Sequence, residues 1–289
     1  VDDRYKRIAD LFGLALPAPV EGEDEDTPRK LTGATAKESA DLGAQSLTAG
    51  DYEKAIEHFR RAVEQSKDED PALRIDLAGA YEYAEMAPQA MRQYLEALRV
   101  TSDAPEPHVG LSQLYKREGR WREAIAELEA ALRADPENAF HYFKLAELHA
   151  EIGDRASALS AIQAAVVHAP DDPFYHYWMG DLLIAMKRPD EAVDALRAAV
   201  ELSPGDDFLF LRTAVAFWNA GRPSEAVKAI RLASDLDPDQ ALYHGLLQRF
   251  LLAQNQEEEA ALEAKRAQEL DDYDAERLRR LLVEVGLTP

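Results

Sequence analysis

Cysteine is absent from the 289 residues, which excludes a disulfide framework, thiolate zinc sites, iron–sulfur ligation and a cysteine nucleophile. The absence leaves the compartment open, because a secreted chain can also lack cysteine. Positive charge is scarce: 33 Lys and Arg stand against 55 Asp and Glu, a formal net charge of −22. Proteins that grip phosphate backbones do so through Lys and Arg that displace counterions, so nucleic acid is not expected as a partner. No apolar run approaches the roughly 18 to 20 residues of a membrane helix, and no membrane insertion is expected. Phosphate-cradling glycine loops, a GxSxG elbow and a dinucleotide fingerprint are all missing. What remains, 46% hydrophobic and 30% charged residues, is close to the usual globular mix, so most of the chain should fold without a partner.

The segment Arg4 to Val20 has early cations and an apolar stretch, superficially like a secretory leader, but Asp10, Pro17 and Pro19 interrupt it. The sequence begins at Val1, so a segment upstream of it is open. Localisation is left open too, with the cytoplasm slightly favoured.

The informative feature is a period. Ala55, Ala90, Ala124, Ala158, Ala192, Ala226 and Ala260 are spaced by 35 and then repeatedly by 34 residues. Each is followed seven residues later by another alanine: Ala62, Ala97, Ala131, Ala165, Ala199, Ala233 and Ala267. Between them stand bulky residues: Phe59, Tyr94, Leu128, Ile162, Leu196 and Ile230. Gly50, Gly119, Gly153 and Gly221 precede the alanine-rich segments, and Pro136, Pro170, Pro204 and Pro238 follow them. Alanines one or two turns apart on a second helix let its antiparallel partner approach closely. Glycine supplies the left-handed residue that ends the first helix. Pro88, Pro189 and Pro223 fall near the first turn of the second helix, where a missing N–H costs nothing, and the later prolines stop it.

A 34-residue period of two helices with these residues resembles the tetratricopeptide repeat family, over residues 36 to 272. The resemblance implies an all-α fold, a right-handed α-solenoid of about seven antiparallel helix pairs with a C-terminal capping helix. The expected units are 36–70, 71–104, 105–138, 139–172, 173–206, 207–240 and 241–272. The first two depart from the pattern, with Ser39 and Arg74 where a large aromatic is usual, so that end is expected to be looser. In the last, Ala264 and Asp272 replace the bulky residue and the proline. Within 273–289, Leu278, Leu281, Leu282 and Val285 fall on one helical face, as a solvating cap requires.

The resemblance also implies where a ligand would sit, on the concave surface formed by the first helix of each unit, at repeat positions 2, 5, 9, 12 and 13. In units four to six these positions bring Phe140, Phe174 and Phe208 (position 2) and Phe143, Tyr177 and Leu211 (position 5) into a stripe, with Trp218 beyond it. Tyr83, Leu242 and Leu252 extend the apolar lining, and Gln113, Lys116, Arg117, Glu147, Glu151, Asp181, Arg212 and Arg249 give it a polar edge. An exposed aromatic stripe of this kind needs a cover, and an amphipathic helix or extended peptide with some basic residues would supply one. Neither the carboxylate clamp for chaperone tails nor the asparagine ladder of the sugar-transferring relatives is present. The histidines give no metal site: His108, His176 and His244 fall on one repeat position two units apart, where packing is expected. No enzyme activity and no cofactor are expected; the chain reads as a protein-binding scaffold.

Ahead of the repeats, residues 1–16 form an amphipathic peptide with Tyr5, Ile8, Leu11 and Phe12 on its apolar side and Arg4, Lys6 and Arg7 beside them. Residues 17–35 are an acidic flexible linker. Fully extended, such a linker spans up to roughly 60 Å. The peptide is therefore expected either to enter the groove of its own array or a neighbour's, giving self-association, or to cap the first repeat while an external partner takes the groove.

Overall fold

The computed structural model describes residues 35–67, 70–270 and 274–287. The amphipathic peptide with Tyr5, Ile8, Leu11 and Phe12, the linker up to residue 34 and Asp272 lie outside the described residues. Among the described residues there are fifteen helices and no strand. They run as seven pairs: α1 (Ala36–Thr48) with α2 (Tyr52–Gln65), α3 (Pro71–Tyr83) with α4 (Ala87–Val100), α5 (Pro105–Arg117) with α6 (Trp121–Ala134), and α7 (Ala139–Glu151) with α8 (Arg155–His168). The series continues with α9 (Pro173–Ala185) and α10 (Pro189–Leu202), α11 (Asp207–Asn219) and α12 (Pro223–Leu236), α13 (Ala241–Ala253) and α14 (Glu257–Glu269), and ends on α15 (Ala275–Glu284). Each helix packs most extensively on its pair-mate, and the second helix of each of the first six pairs packs on the first helix of the next.

The alanine columns are the seams of this stack. Thirteen of the fourteen have 1% exposure or less, and Ala267 has 3%. The bulky residues between them, from Phe59 to Ile230, are buried as well. Each first helix ends the same way. In unit four the Gly153 N–H donates to the Ala150 carbonyl at 3.0 Å and the Asp154 N–H to His149 at 2.9 Å, the paired bonds of a left-handed helix end. Unit five repeats this geometry on Lys187, whose φ is +58°.

Those two positions make a clean backbone test. A β-carbon added at Gly153, φ +83°, would meet nothing within 4 Å, so Gly153→Ala probes conformation alone. Left-handed backbone costs an L-residue roughly 1–2 kcal/mol, partly offset by the smaller unfolded-state freedom of alanine. We expect Gly153→Ala to destabilise by about 1 kcal/mol and Lys187→Gly to stabilise by about the same amount in urea titrations.

The core is not uniform along the stack. Most buried apolar residues from Phe143 to Val285 form one contiguous cluster, whereas those of units one to three, with Leu148 of unit four, divide among three smaller ones. The apolar face of α15 belongs to the large cluster, with Leu278, Leu281, Leu282 and Val285 all buried. Its most extensive helix packing is on α13, and Glu284 and Arg277 reach α11.

Candidate protein-binding groove

The first helices, α1 to α13 in odd order, carry every residue expected in the groove. In units four to six the helix N-caps place the aromatic stripe. The side chains of Asn138, Asp172 and Asp206 accept from the backbone N–H of Phe140 (3.1 Å), Phe174 (2.9 Å) and Phe208 (3.1 Å). Each position-2 residue is thus set on the first turn of its helix by a cap, two places before it, that holds its backbone N–H.

The rings pass from one inner helix to the next. Phe143 meets Phe174 edge-on at 4.9 Å and Trp178 at 5.6 Å, with Phe140 at 6.3 Å, and Tyr177 meets Phe208 at 5.6 Å. Edge-to-face packing at these separations is favourable for aromatic quadrupoles. Phe174 remains 45% exposed, and Phe140, Tyr177 and Phe208 are half-buried. Phe143, at 9%, and Leu211, at 1%, are not ligand surface in this structure. Position 5 points into the seam between successive inner helices, so these two form the floor beneath the exposed rings. Leu242 is likewise buried, and Trp218 is half-buried, stacked on Phe250 with centroids 4.1 Å apart and planes 4° apart.

Toward the N-terminal side the wall turns polar. The Lys116 ammonium lies 2.7 Å from Glu151 and 3.5 Å from Glu147, and Lys144 lies 3.0 Å from Glu147 and over the Phe140 ring at 5.4 Å. Desolvation opposes charge on Lys116, yet Glu151 and Glu147 together raise its pKa. Glu147 is held below the usual carboxylate range because Lys144 and Lys116 outweigh its desolvation. Gln113 borders a small cleft beside Lys116 and Lys144. Arg117 is exposed and pairs with Glu82 at 3.4 Å. Tyr83, exposed, stacks on Tyr52 of the preceding pair at 5.8 Å. Arg249 is half-buried, and its Nε is enclosed without a hydrogen-bond partner.

The arrangement that sequence reasoning missed centres on Arg212, which is 8% exposed. Its Nε donates to Asp181 of α9 at 2.5 Å, and its two terminal nitrogens donate to both oxygens of Glu284 of α15 at 2.8 and 3.1 Å. The bidentate fork fixes the approach of the carboxylate as well as its distance. Desolvation opposes charge on Arg212, but the two acids raise its pKa. Asp181 is itself pushed above the usual carboxylate range by desolvation, which Arg212 only partly offsets. Tyr177, hydrogen-bonded to Asp181, is pushed up to about 12 by desolvation with that carboxylate beside it. Asp181 and Arg212 were each legible as edge residues, but no local signal joined them to position 284.

The histidines are taken up in packing. His108 meets Glu127 at 2.7 Å, His176 meets the Pro170 carbonyl at 2.8 Å, and buried His244 lies between Glu263 (2.6 Å) and the Pro238 carbonyl (3.0 Å). Burial lowers the pKa of His141. Among the described residues no group of three or more His, Asp or Glu side chains could hold a metal ion, and no helix is long and apolar enough to cross a membrane.

Stacked antiparallel helix pairs with an inner wall of first helices define an α-solenoid repeat protein. The chain belongs to the tetratricopeptide repeat family, whose models match residues 46–69, 109–173, 143–207 and 183–250. Comparison with curated proteins finds no significant sequence match. Among solved structures, the C-terminal part of a TPR repeat-containing protein from Cytophaga hutchinsonii superposes with a TM-score of 0.70 at 16% identity, over 83% of this chain and 98% of its own. YrrB, described as a TPR protein with an unusual peptide-binding site, gives 0.52 at 26% identity over 63% of this chain and 93% of its own. MamA from Desulfovibrio magneticus gives 0.53 at 22% identity over 58% and 97%.

Proposed function

We propose that this chain is a non-enzymatic interaction scaffold whose inner wall binds an amphipathic helix or extended peptide along Phe140, Phe174, Tyr177 and Phe208. The observation that carries the reading is Phe174, left 45% exposed on the first turn of α9 while its ring packs edge-on against buried Phe143. With Phe140, Tyr177 and Phe208 partly open beside it on neighbouring inner helices, Phe174 belongs to a stripe of the kind a partner covers. The description of YrrB as a peptide binder supports the same use of the fold. One candidate ligand is residues 1–16 of this chain or of a second copy, whose Tyr5, Ile8, Leu11 and Phe12 would meet the rings while Arg4, Lys6 and Arg7 face the acidic edge.

The test is a synthetic peptide of residues 1–16 titrated into a 36–289 fragment. Saturable binding is expected, weakened roughly tenfold by Phe174→Ala, since an aromatic anchor at an interface is commonly worth more than about 1 kcal/mol. Absence of saturation at about 1 mM peptide, a concentration typical of what a short tether supplies, would end the case for this ligand. An unchanged affinity in the Phe174, Tyr177 and Phe208 alanine variants would move the site elsewhere.

A further inference from the structure

We propose that the inner wall of units five to seven is a helix-binding subsite built around Arg212, that α15 is its tethered occupant, and that the external ligand of this subsite is a helix of the same chemistry. That ligand carries leucines on one face and a carboxylate that enters the Arg212 fork. This deepens the groove reading above and rests on it.

Two inner helices, α11 and α13, meet α15 directly, and α9 joins through Arg212. Glu284 engages Arg212 of α11, and Arg212 in turn holds Asp181 of α9. Leu278 lies over Gly245 of α13 so closely that a β-carbon there would stand 2.9 Å from Leu278 Cδ2. The Arg277 guanidinium sits 6.0 Å from the Phe208 ring, at the end of the aromatic stripe. A helix that only continued the stack would pack on α14 as each earlier first helix packs on the second helix before it; instead α13 carries the contact. The helix therefore crosses the inner face and buries Leu278, Leu281 and Leu282 there.

Its length decides what happens when it leaves. At ten residues, α15 is below the roughly 12–15 at which isolated helices become even marginal in water. Off the wall it melts, so it is either docked and helical or released and unfolded. Tethering gives it an effective concentration on the order of a millimolar. An external helix must compete with that, and its apparent affinity is depressed accordingly. The recognition pattern is read directly from the occupant: leucine at 278, 281 and 282, then glutamate at 284.

The experiment uses the full chain and a fluorescein-labelled peptide of residues 274–287. Glu284→Arg in the protein opposes two guanidinium groups and releases α15. The peptide is expected to bind this variant at least tenfold more tightly than the unaltered chain. The same peptide carrying Glu284→Arg is expected to bind the variant at least tenfold more weakly than the unaltered peptide. Equal affinity for variant and unaltered chain, or no saturation of the variant at about 1 mM, overturns the proposal. Hydrogen exchange on the unaltered chain gives a second reading that needs no substitution. Amides of 278–285 opening while those of 246–251 stay protected support a displaceable occupant, and opening only together with α13 overturns it. The residues 1–16 peptide titrated in parallel reports on the aromatic stripe, so failure of the Arg212 subsite and failure of the groove reading give different results.

Discussion

Replacing Arg212 by methionine should cost the C-terminal half about 2–3 kcal/mol. Breaking a buried ion pair by removing one partner typically costs 3–5 kcal/mol, because the remaining charge is left enclosed. Here the Asp181 and Glu284 side chains are 36% and 31% exposed, so water recovers part of that cost. The loss should depend on pH, and its sign follows from Asp181. Its carboxyl is already raised by desolvation, and Arg212 is the group that restrains the rise. Without Arg212 the folded-state pKa climbs further. A carboxyl whose pKa is raised on folding favours the fold below its unfolded value and loses that advantage as pH rises through the folded value. The deficit of Arg212→Met relative to the unaltered chain should therefore be smaller near pH 5 than near pH 8. Urea titrations at the two pH values check this. A deficit below about 1 kcal/mol, the ordinary worth of an exposed pair, or one independent of pH, would show that water already shields the cluster.

Phe250→Ala should be more damaging still, at about 3–5 kcal/mol, the range for deleting a fully buried phenylalanine. Phe250 has no exposed surface and lies flat against Trp218 of the preceding unit, so the deletion opens a void at the junction of two repeats. Stability in a solenoid is close to a sum of unit and neighbour terms, and a damaged junction uncouples what lies beyond it. Unfolding should then split, with unit seven and α15 lost before units four to six. Exchange protection of α13 against α9 reports the split directly. In a Trp121→Phe, Trp178→Phe background the remaining tryptophan should shift to longer emission wavelength in the alanine variant. Phe250→Leu, which keeps most of the volume, should cost less than half as much.

The repeat and the inner wall differ in how far they can be read from residues alone. Ala192, Ala199 and Leu196 announce their burial because the close approach of paired helices imposes the same residue types every 34 positions. Gly153 is legible for the same reason. Lys187 performs the same left-handed turn, and only its place in the register, not its chemistry, betrays it. Within the wall, register placed Phe140, Phe174 and Phe208 on one side. It could not tell Tyr177, which stays partly open, from Leu211 at the same repeat position, which closes. That depends on how far each inner helix rotates against its neighbour. The Arg212–Glu284 pair spans 72 residues and joins a repeat to a helix outside the period, so periodicity carries no information about it.

The uneven core sets an order of events for the whole array. With units one to three held by three separate apolar clusters and most of what lies beyond Phe143 by a single one, disruption starts at the amino end and advances pair by pair. The helix pairs of the carboxyl half, joined in one apolar body, yield last and together, after α15 has left its seat on the wall. A protease should therefore trim the stacked pairs from the amino side, leaving a resistant fragment that still carries Arg212 and the wall on which α15 docks.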